Sequence, residues 1–273
     1  MTRTDDTSVP LTDASSGASA RARPLSFFFG TREQPCPYLP DLRESKVVTD
    51  LTGPHAQDLH DELSLAGFRR SHNLVYRPAC NGCRLCVPVR IPVSRFLPSR
   101  TQRRTWRQNS DLIVDIVPAE ATLERYALFD RYQQVRHRGG GMSTMSYADF
   151  RAMVEETPVD TRLIEARDED GNLIAVSLTD WLRDGLSGIY KFYDPDQSNR
   201  SLGTFMILWH VAHARVQKLD NVYLGYWIAD CGKMDYKKNY RPLEILGTNG
   251  WQDFETGQPT EKQNNSDTMG ELS

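Results

Sequence analysis

Residues 161–228 read TRLIEARDEDGNLIAVSLTDWLRDGLSGIYKFYDPDQSNRSLGTFMILWHVAHARVQKLDNVYLGYWI. Three strand-patterned runs, TRLIEAR, LIAVSLTDWL and SGIYKFYDP, are separated by the short turns DEDGN and RDGL. Turns rich in Gly, Asp and Asn between such runs predict an antiparallel meander. After YDPDQSNR, the residues Leu202, Phe205, Met206, Trp209, Ala212, Val216 and Leu219 recur at helical spacing, which predicts a core-packing helix. Its His210 and His213 are read as a wet-edge pair. Asp220 and Asn221 then turn the chain into the strand VYLGYWI. Meander, helix and strand together predict an α+β fold with a mostly antiparallel sheet.

Working outward, DLIVDIV (111–117) reads as a buried strand and 119–138 as a helix with Leu123, Tyr126, Ala127 and Val135 near one face. That helix ends in RHRGGGM, where Arg136, His137 and Arg138 beside bare backbone form either a linker or a phosphate grip. A second helix is expected over 146–155, opened by the cap SYAD. Beyond 228, DCGKMDYKKNYRPLEIL reads as a loop or short helix before a last strand. Upstream, short strands are expected at KVVTDL, Leu74–Tyr76 and Val87–Val93, with a helix over Pro54–Gly67. His55, His60 and His72 read as surface or capping residues. The expected organisation is a disordered tail (1–24), a cysteine- and arginine-rich N-terminal region (25–107), a second domain (108–255) and a disordered polar tail (256–273).

The N-terminal region carries the chemistry that composition alone hides. Cys80, Cys83 and Cys86 stand at CxxCxxC spacing, with Cys36 upstream in a proline-bounded segment. Such a set can hold Zn in a tetrahedral thiolate site or an iron-sulfur cluster; alternatively the thiols only pack a tight turn. The nearby arginines are expected to stabilise thiolates. Between Leu63 and Ser110 there are ten arginines and no Lys, Asp or Glu, in a chain whose net charge is -3. Arginine's planar fork suits phosphate, so this field predicts a phosphate-bearing partner; the plainer alternative is a solvated basic face with internal acid partners.

At 273 residues, 39% hydrophobic and 25% charged, the composition is that of an ordinary globular protein. No run of 18 apolar residues exists, so no membrane span is expected. The first 24 residues lack the apolar core of a secretory signal, and Asp5, Asp6 and Asp13 argue against a transit peptide, so a cytoplasmic location is expected.

The order of elements in the second half is that of acetyltransferase-like (GNAT-like) folds. Such enzymes cradle a pyrophosphate at the helix N-terminus with Arg or Gln, two residues, Gly, one residue, then Gly or Ala. Arg200 and Gly203 fit that pattern, while Phe205 takes the last place and would crowd coenzyme A.

The segments YRPACNGCRLCVPVRIPVSRFLPSRTQRR, PCPYLP, YKFYDP, SLGT and YLGYWIADCGKMDYKKNYRPLEIL resemble the aminoacyl-tRNA protein transferases of the N-degron (N-end rule) pathway. More narrowly they are similar to the bacterial aspartate/glutamate leucyltransferase group. The resemblance implies transfer of leucine from leucyl-tRNA to the α-amino group of proteins beginning with Asp or Glu, with no cofactor required. By the same resemblance, Tyr190, Lys191, Tyr193, Tyr226, Lys233, Tyr236 and Lys237 are nominated for the catalytic site. Arg77, Arg95, Arg100, Arg103, Arg104 and Arg107, with Arg200 and Gly203, are nominated to bind tRNA; Cys36, Cys80, Cys83 and Cys86 are candidate ligands for Zn or an iron-sulfur cluster. Three other readings stay open: an arginyl-transferring member of the family, a coenzyme A-dependent N-acetyltransferase, and a non-catalytic metal-bearing nucleic-acid module.

Overall fold

The computed structural model describes residues 26–229 and 231–255. The tails expected at 1–24 and 256–273 lie outside the described residues. In chain order the N-terminal region forms β1 (Phe29–Gly30), β2 (Gln34–Pro35), β3 (Arg43–Glu44), β4 (Lys46–Asp50), α1 (Ala56–Leu65), β5 (Arg69–Ser71), β6 (Leu74–Pro78), β7 (Cys86–Pro92) and α2 (Arg100–Gln108). There follow β8 (Ile113–Pro118), α3 (Leu123–Arg136), α4 (Tyr147–Glu155), β9 (Thr161–Arg167), β10 (Leu173–Leu182), β11 (Gly185–Tyr193), α5 (Leu202–Val216), β12 (Asn221–Ile228), β13 (Glu244–Gly247) and β14 (Gly250–Asp253). Short 3-10 helices cover Pro195–Arg200 and Asp235–Asn239.

The predicted meander is present: β9, β10 and β11 pair antiparallel in sequence order, and β8 adds antiparallel to the outer edge of β9. The crossing helix α5 then returns the chain so that β12 lies parallel to β11. This is the acetyltransferase-like order. β7 comes from the cysteine-bearing region yet pairs with both β12 and β13, so the large sheet runs β14-β13-β7-β12-β11-β10-β9-β8. A smaller sheet, β1-β4-β6-β5, and the hairpin β2-β3 complete the N-terminal region.

Strand alternation decides what each face buries. On β9, Leu163 packs with Leu128, Phe129, Phe150 and Val154 of α3 and α4. Its neighbours Ile164 and Ala166 pack instead with Leu202, Phe205 and Met206 of α5. The sheet is thus covered on both faces. α5 is buried along most of its circumference, although Val216, predicted to face the core, is 76% exposed at the end of the helix.

Two histidine expectations are corrected here. His60 is buried: its Nε2 lies 2.9 Å from Asp180 Oδ2, in a cluster where Arg70 donates to both carboxylate oxygens and Thr161 Oγ1 to one. His210 is likewise buried rather than wet; its Nδ1–H donates to the Met206 carbonyl at 2.6 Å and its Nε2 accepts from Thr179 Oγ1 at 2.9 Å. Burial and the charge of Lys191 push His210 down to about 3, so it stays neutral. His213 keeps the expected edge position, stacked on Trp209 at 4.8 Å.

Candidate active site

β11 and β12 pair in parallel over only three residues, ending at Ser187 and Tyr223. Both strands bulge just beyond: β11 steps past Ile189 against β10, and β12 past Leu224 against β7. Bulges bend strands and end pairing, which here opens a gap in the middle of the sheet. The burial of β11 follows it, complete from Gly185 to Ser187 and partial from Gly188 to Lys191.

Arg69 enters this gap from β5. Its Nη2 donates to the carbonyls of Gly188 (3.0 Å) and Ile189 (3.3 Å). Gly225, at φ +78°, makes room opposite; a Cβ there would lie 2.0 Å from Arg69 Nη1. Around this guanidinium stand four of the nominated residues. Lys191 reaches back along β11 to within 3.4 Å of where a Cβ on Gly188 would sit, and burial together with the Arg69 charge pushes its pKa down to about 8. Buried Lys237 donates to the Tyr226 carbonyl, and burial, Arg69 and Lys191 hold it well below the lysine range. The Tyr226 hydroxyl donates to the carbonyls of Gly67 (2.9 Å) and Tyr76 (3.1 Å), so it clamps the N-terminal sheet to β12. Tyr236 lies at the rim with its ring 5.8 Å from Lys237 Nζ.

The remaining nominees are placed apart from this centre. Pleating sends Tyr190 to the α3 face, where its hydroxyl accepts from Gln133 Nε2 at 2.6 Å, away from Lys191. Tyr193 packs between Tyr132 (4.8 Å between ring centroids) and Gly203 at the start of α5. Arg136, the last residue of α3, lies over the Tyr193 ring at 5.9 Å. Burial, with exposed Lys233 and Arg136, lowers the pKa of His137, so Lys233 lies close to the C-terminal end of α3.

The arginine field divides. Arg70 is wholly buried on Asp180. Arg90 pairs with Glu244 at 2.7 Å, and Arg95 bridges Glu244 and Asp253. Arg200 is bound to Asn109, Gln197 and Asp111, so Arg95 and Arg200 hold carboxylate partners already. Arg77 donates to the Ala66 carbonyl. Helix α2 differs: a Ser99/Gln102 capping box starts it, Gln102 donates to the Asn239 carbonyl, and Trp106 packs on Phe205 of α5 at 5.6 Å. Its outer face presents Arg100, Arg103, Arg104 and Arg107, none with an acid partner among the described residues; Arg103 donates to the Pro98 carbonyl. This basic helix stands beside the N-terminus of α5, and through Gly203 and Tyr193 adjoins the strand end that carries Lys191. Phe205 is buried with Leu112 and Ile164 on the core side of α5.

Cys36, Cys80, Cys83 and Cys86 line one cavity of about 50 Å³ with Tyr38, Tyr76 and Tyr226, and their thiols are free. Among the described residues no three His, Cys, Asp or Glu side chains are grouped to hold a metal ion. Contrary to the expectation from sequence, the arginines do not stabilise a thiolate at Cys86: burial and the neighbouring Cys80, Cys83 and Cys36 push it up to about 12. Arg84 instead turns to the Cys80 and Cys83 carbonyls.

Sequence reasoning missed Arg69, Gly225 and Gln133. Gly225 within the strand pattern VYLGYWI was the available signal, since an isolated strand glycine marks a bulge or a close approach.

Two family models describe the chain in the order of its two regions: arginine-tRNA-protein transferase, N terminus, over residues 34–104, and C terminus, over 124–247. An aspartate/glutamate leucyltransferase of Paramagnetospirillum magneticum is 52% identical over 231 residues, covering 85% of this chain and 95% of that protein. One from Granulibacter bethesdensis is 52% identical over 225 residues, covering 82% and 84%. Solved structures are more distant: FemX matches 70% of this chain and 65% of its own at 11% identity and TM-score 0.44, and L-PGS from Bacillus licheniformis 68% and 54% at 10% identity and TM-score 0.43. No described helix is long and apolar enough to cross a membrane. With both halves matched in order and half the residues identical across nearly the full length of a relative, the chain belongs to the aminoacyl-tRNA protein transferase family, in the group of the bacterial aspartate/glutamate leucyltransferases.

Proposed function

We propose that the protein transfers leucine from leucyl-tRNA to the α-amino group of proteins that begin with Asp or Glu, a cytosolic reaction that creates a degradation signal. The observation that carries this reading is the juxtaposition of an acid-free arginine helix, α2, with the cation-rich gap between β11 and β12. Arg100, Arg104 and Arg107 offer charge to the phosphates of a tRNA acceptor stem, and phosphate contacts position without reading sequence. The ester end then reaches the gap past the N-terminus of α5.

The donor ester is already activated, so the task is alignment, proton handling and stabilisation of the oxyanion. The acceptor amine attacks the ester carbonyl; a C–N bond forms, the bond to the ribose oxygen breaks, and the amine proton passes to that oxygen. An α-amino group has a pKa of about 7.7–8.0, so much of it is neutral near pH 7.5. Lys237, held well below the lysine range, is suited to relay the proton. Lys191, near 8, supplies positive charge to the oxyanion in its protonated form. No step requires a metal or redox cofactor.

The test is transfer of labelled leucine or arginine from their charged tRNAs to peptides beginning with Asp, Glu or Ala. Leucine should pass to the Asp and Glu peptides only. Transfer to none of them contradicts the reading, and transfer of arginine would replace the donor.

A further inference from the structure

Arg69 and Arg70 are neighbours in sequence with opposite electrostatic situations. Arg70 is fully satisfied by Asp180. Arg69 meets only two backbone carbonyls, which are freed because the β11–β12 pairing has just ended, and it pairs with no carboxylate among the described residues. Among the described residues the Lys191 ammonium makes no hydrogen bond, and the Lys237 ammonium donates to the Tyr226 carbonyl. Arg69 and two desolvated lysines, Lys191 and Lys237, therefore converge on one partly enclosed gap with nothing acidic among the described residues to balance them. Desolvated like charges are costly, and an arrangement of this kind is stabilised when an anion enters.

Two anions come near in the proposed reaction: phosphates of the tRNA end and the side-chain carboxylate of the acceptor. Phosphate is met outside, by α2. One guanidinium edge is fixed on the Gly188 and Ile189 carbonyls, which leaves its other N–H groups for a planar, two-oxygen ligand.

We propose that Arg69 is the residue that reads the acceptor's first side chain, binding its carboxylate with Lys191 and Lys237 beside it; this rests on the leucyl-transfer reading above. A neutral amide of the same shape would leave the Arg69 charge unbalanced. The site thus selects Asp and Glu over Asn and Gln by charge, and Gly225 is required because any side chain there would displace the guanidinium.

The experiment measures kcat/KM for peptides beginning with Glu and with Gln, at saturating leucyl-tRNA, for the intact protein, Arg69→Gln and Arg69→Lys. A charged hydrogen bond of ordinary strength corresponds to roughly a tenfold to hundredfold preference. Arg69→Gln should erase at least about tenfold of the Glu-over-Gln preference, Arg69→Lys should restore part of it, and KM for leucyl-tRNA should stay within about twofold. An unchanged Glu-over-Gln ratio, with both rates falling equally, would overturn the assignment and leave Arg69 as a support for β11. Failure of the unmodified protein to use either Glu or Asp acceptors would instead overturn the leucyl-transfer reading and this one together. If Arg69→Gln does not fold, phenylglyoxal modification of the intact protein, mapped by mass spectrometry, reads the same contact. The Glu peptide should protect Arg69 more than the Gln peptide does, and equal protection would overturn the proposal.

Discussion

Arg70 and the arginines of α2 come from one basic stretch and do opposite work. Arg70 is fully buried, donates to both oxygens of Asp180 110 residues away, and ties the small N-terminal sheet to β10. Arg100, Arg104 and Arg107 stand on an exposed helix with no acid partner among the described residues. Between them lie Arg90 and Arg95, paired to acids but progressively more exposed, at 14% and 46%. The charge of a stretch therefore does not tell its task. What decides it is whether the fold brings a carboxylate to each guanidinium.

That gradient orders the expected effects on stability. Asp180→Asn leaves Arg70 buried without its counter-charge and should cost about 3–5 kcal/mol in urea unfolding. A loss below about 1 kcal/mol would mean that the network is not holding the two sheets. The same carboxyl sharpens the comparison through pH. Burial raises its pKa, but the hydrogen bonds from Arg70 and His60 outweigh this and hold it at about 2, below the ordinary 3.8. Its stabilisation is thus complete above about pH 4 and is lost as the pH falls towards 2. Acid titrations of unfolding should show this limb in the unmodified protein and not in Asp180→Asn.

Arg90→Ala removes a mostly buried guanidinium that also stacks on Trp251 at 4.3 Å, and should cost about 1–3 kcal/mol in thermal unfolding. Arg95→Ala breaks a surface bridge and should cost less than about 1 kcal/mol, with little change in KM for charged tRNA. A large rise in that KM on losing Arg95 would return it to the tRNA path.

The meander and α5 were legible because their periodicity and turn residues are local. α2 was not, since RTQRRTWRQ has almost no apolar positions to show a period; its helix depends on the Ser99/Gln102 box and on Trp106 finding Phe205. The place of β7 in the large sheet was equally hidden, because its partners lie some 150 residues later and alternation alone does not name them. His60 and His210 looked polar and peripheral, but each is buried by a partner on β10 that no local pattern reveals. Of the nominated catalytic residues, the motifs led to Lys191, Tyr226, Tyr236 and Lys237 together, and could not show that pleating turns Tyr190 away. Arg69, the cation at their centre, lay in the basic stretch without a mark of its own.

The distinction between paired and unpaired arginines is tested most directly by the salt dependence of leucyl-tRNA use. kcat/KM should be measured against ionic strength for the intact protein, for Arg100, Arg104 and Arg107 all changed to Ala, and for Arg90 and Arg95 both changed to Ala. Each phosphate contact contributes roughly 0.7–0.9 to the log–log slope. The α2 variant should lose about two to three units of slope while unfolding at the same temperature, and the Arg90/Arg95 variant should keep the slope while losing stability. An unchanged slope in the α2 variant would contradict the account.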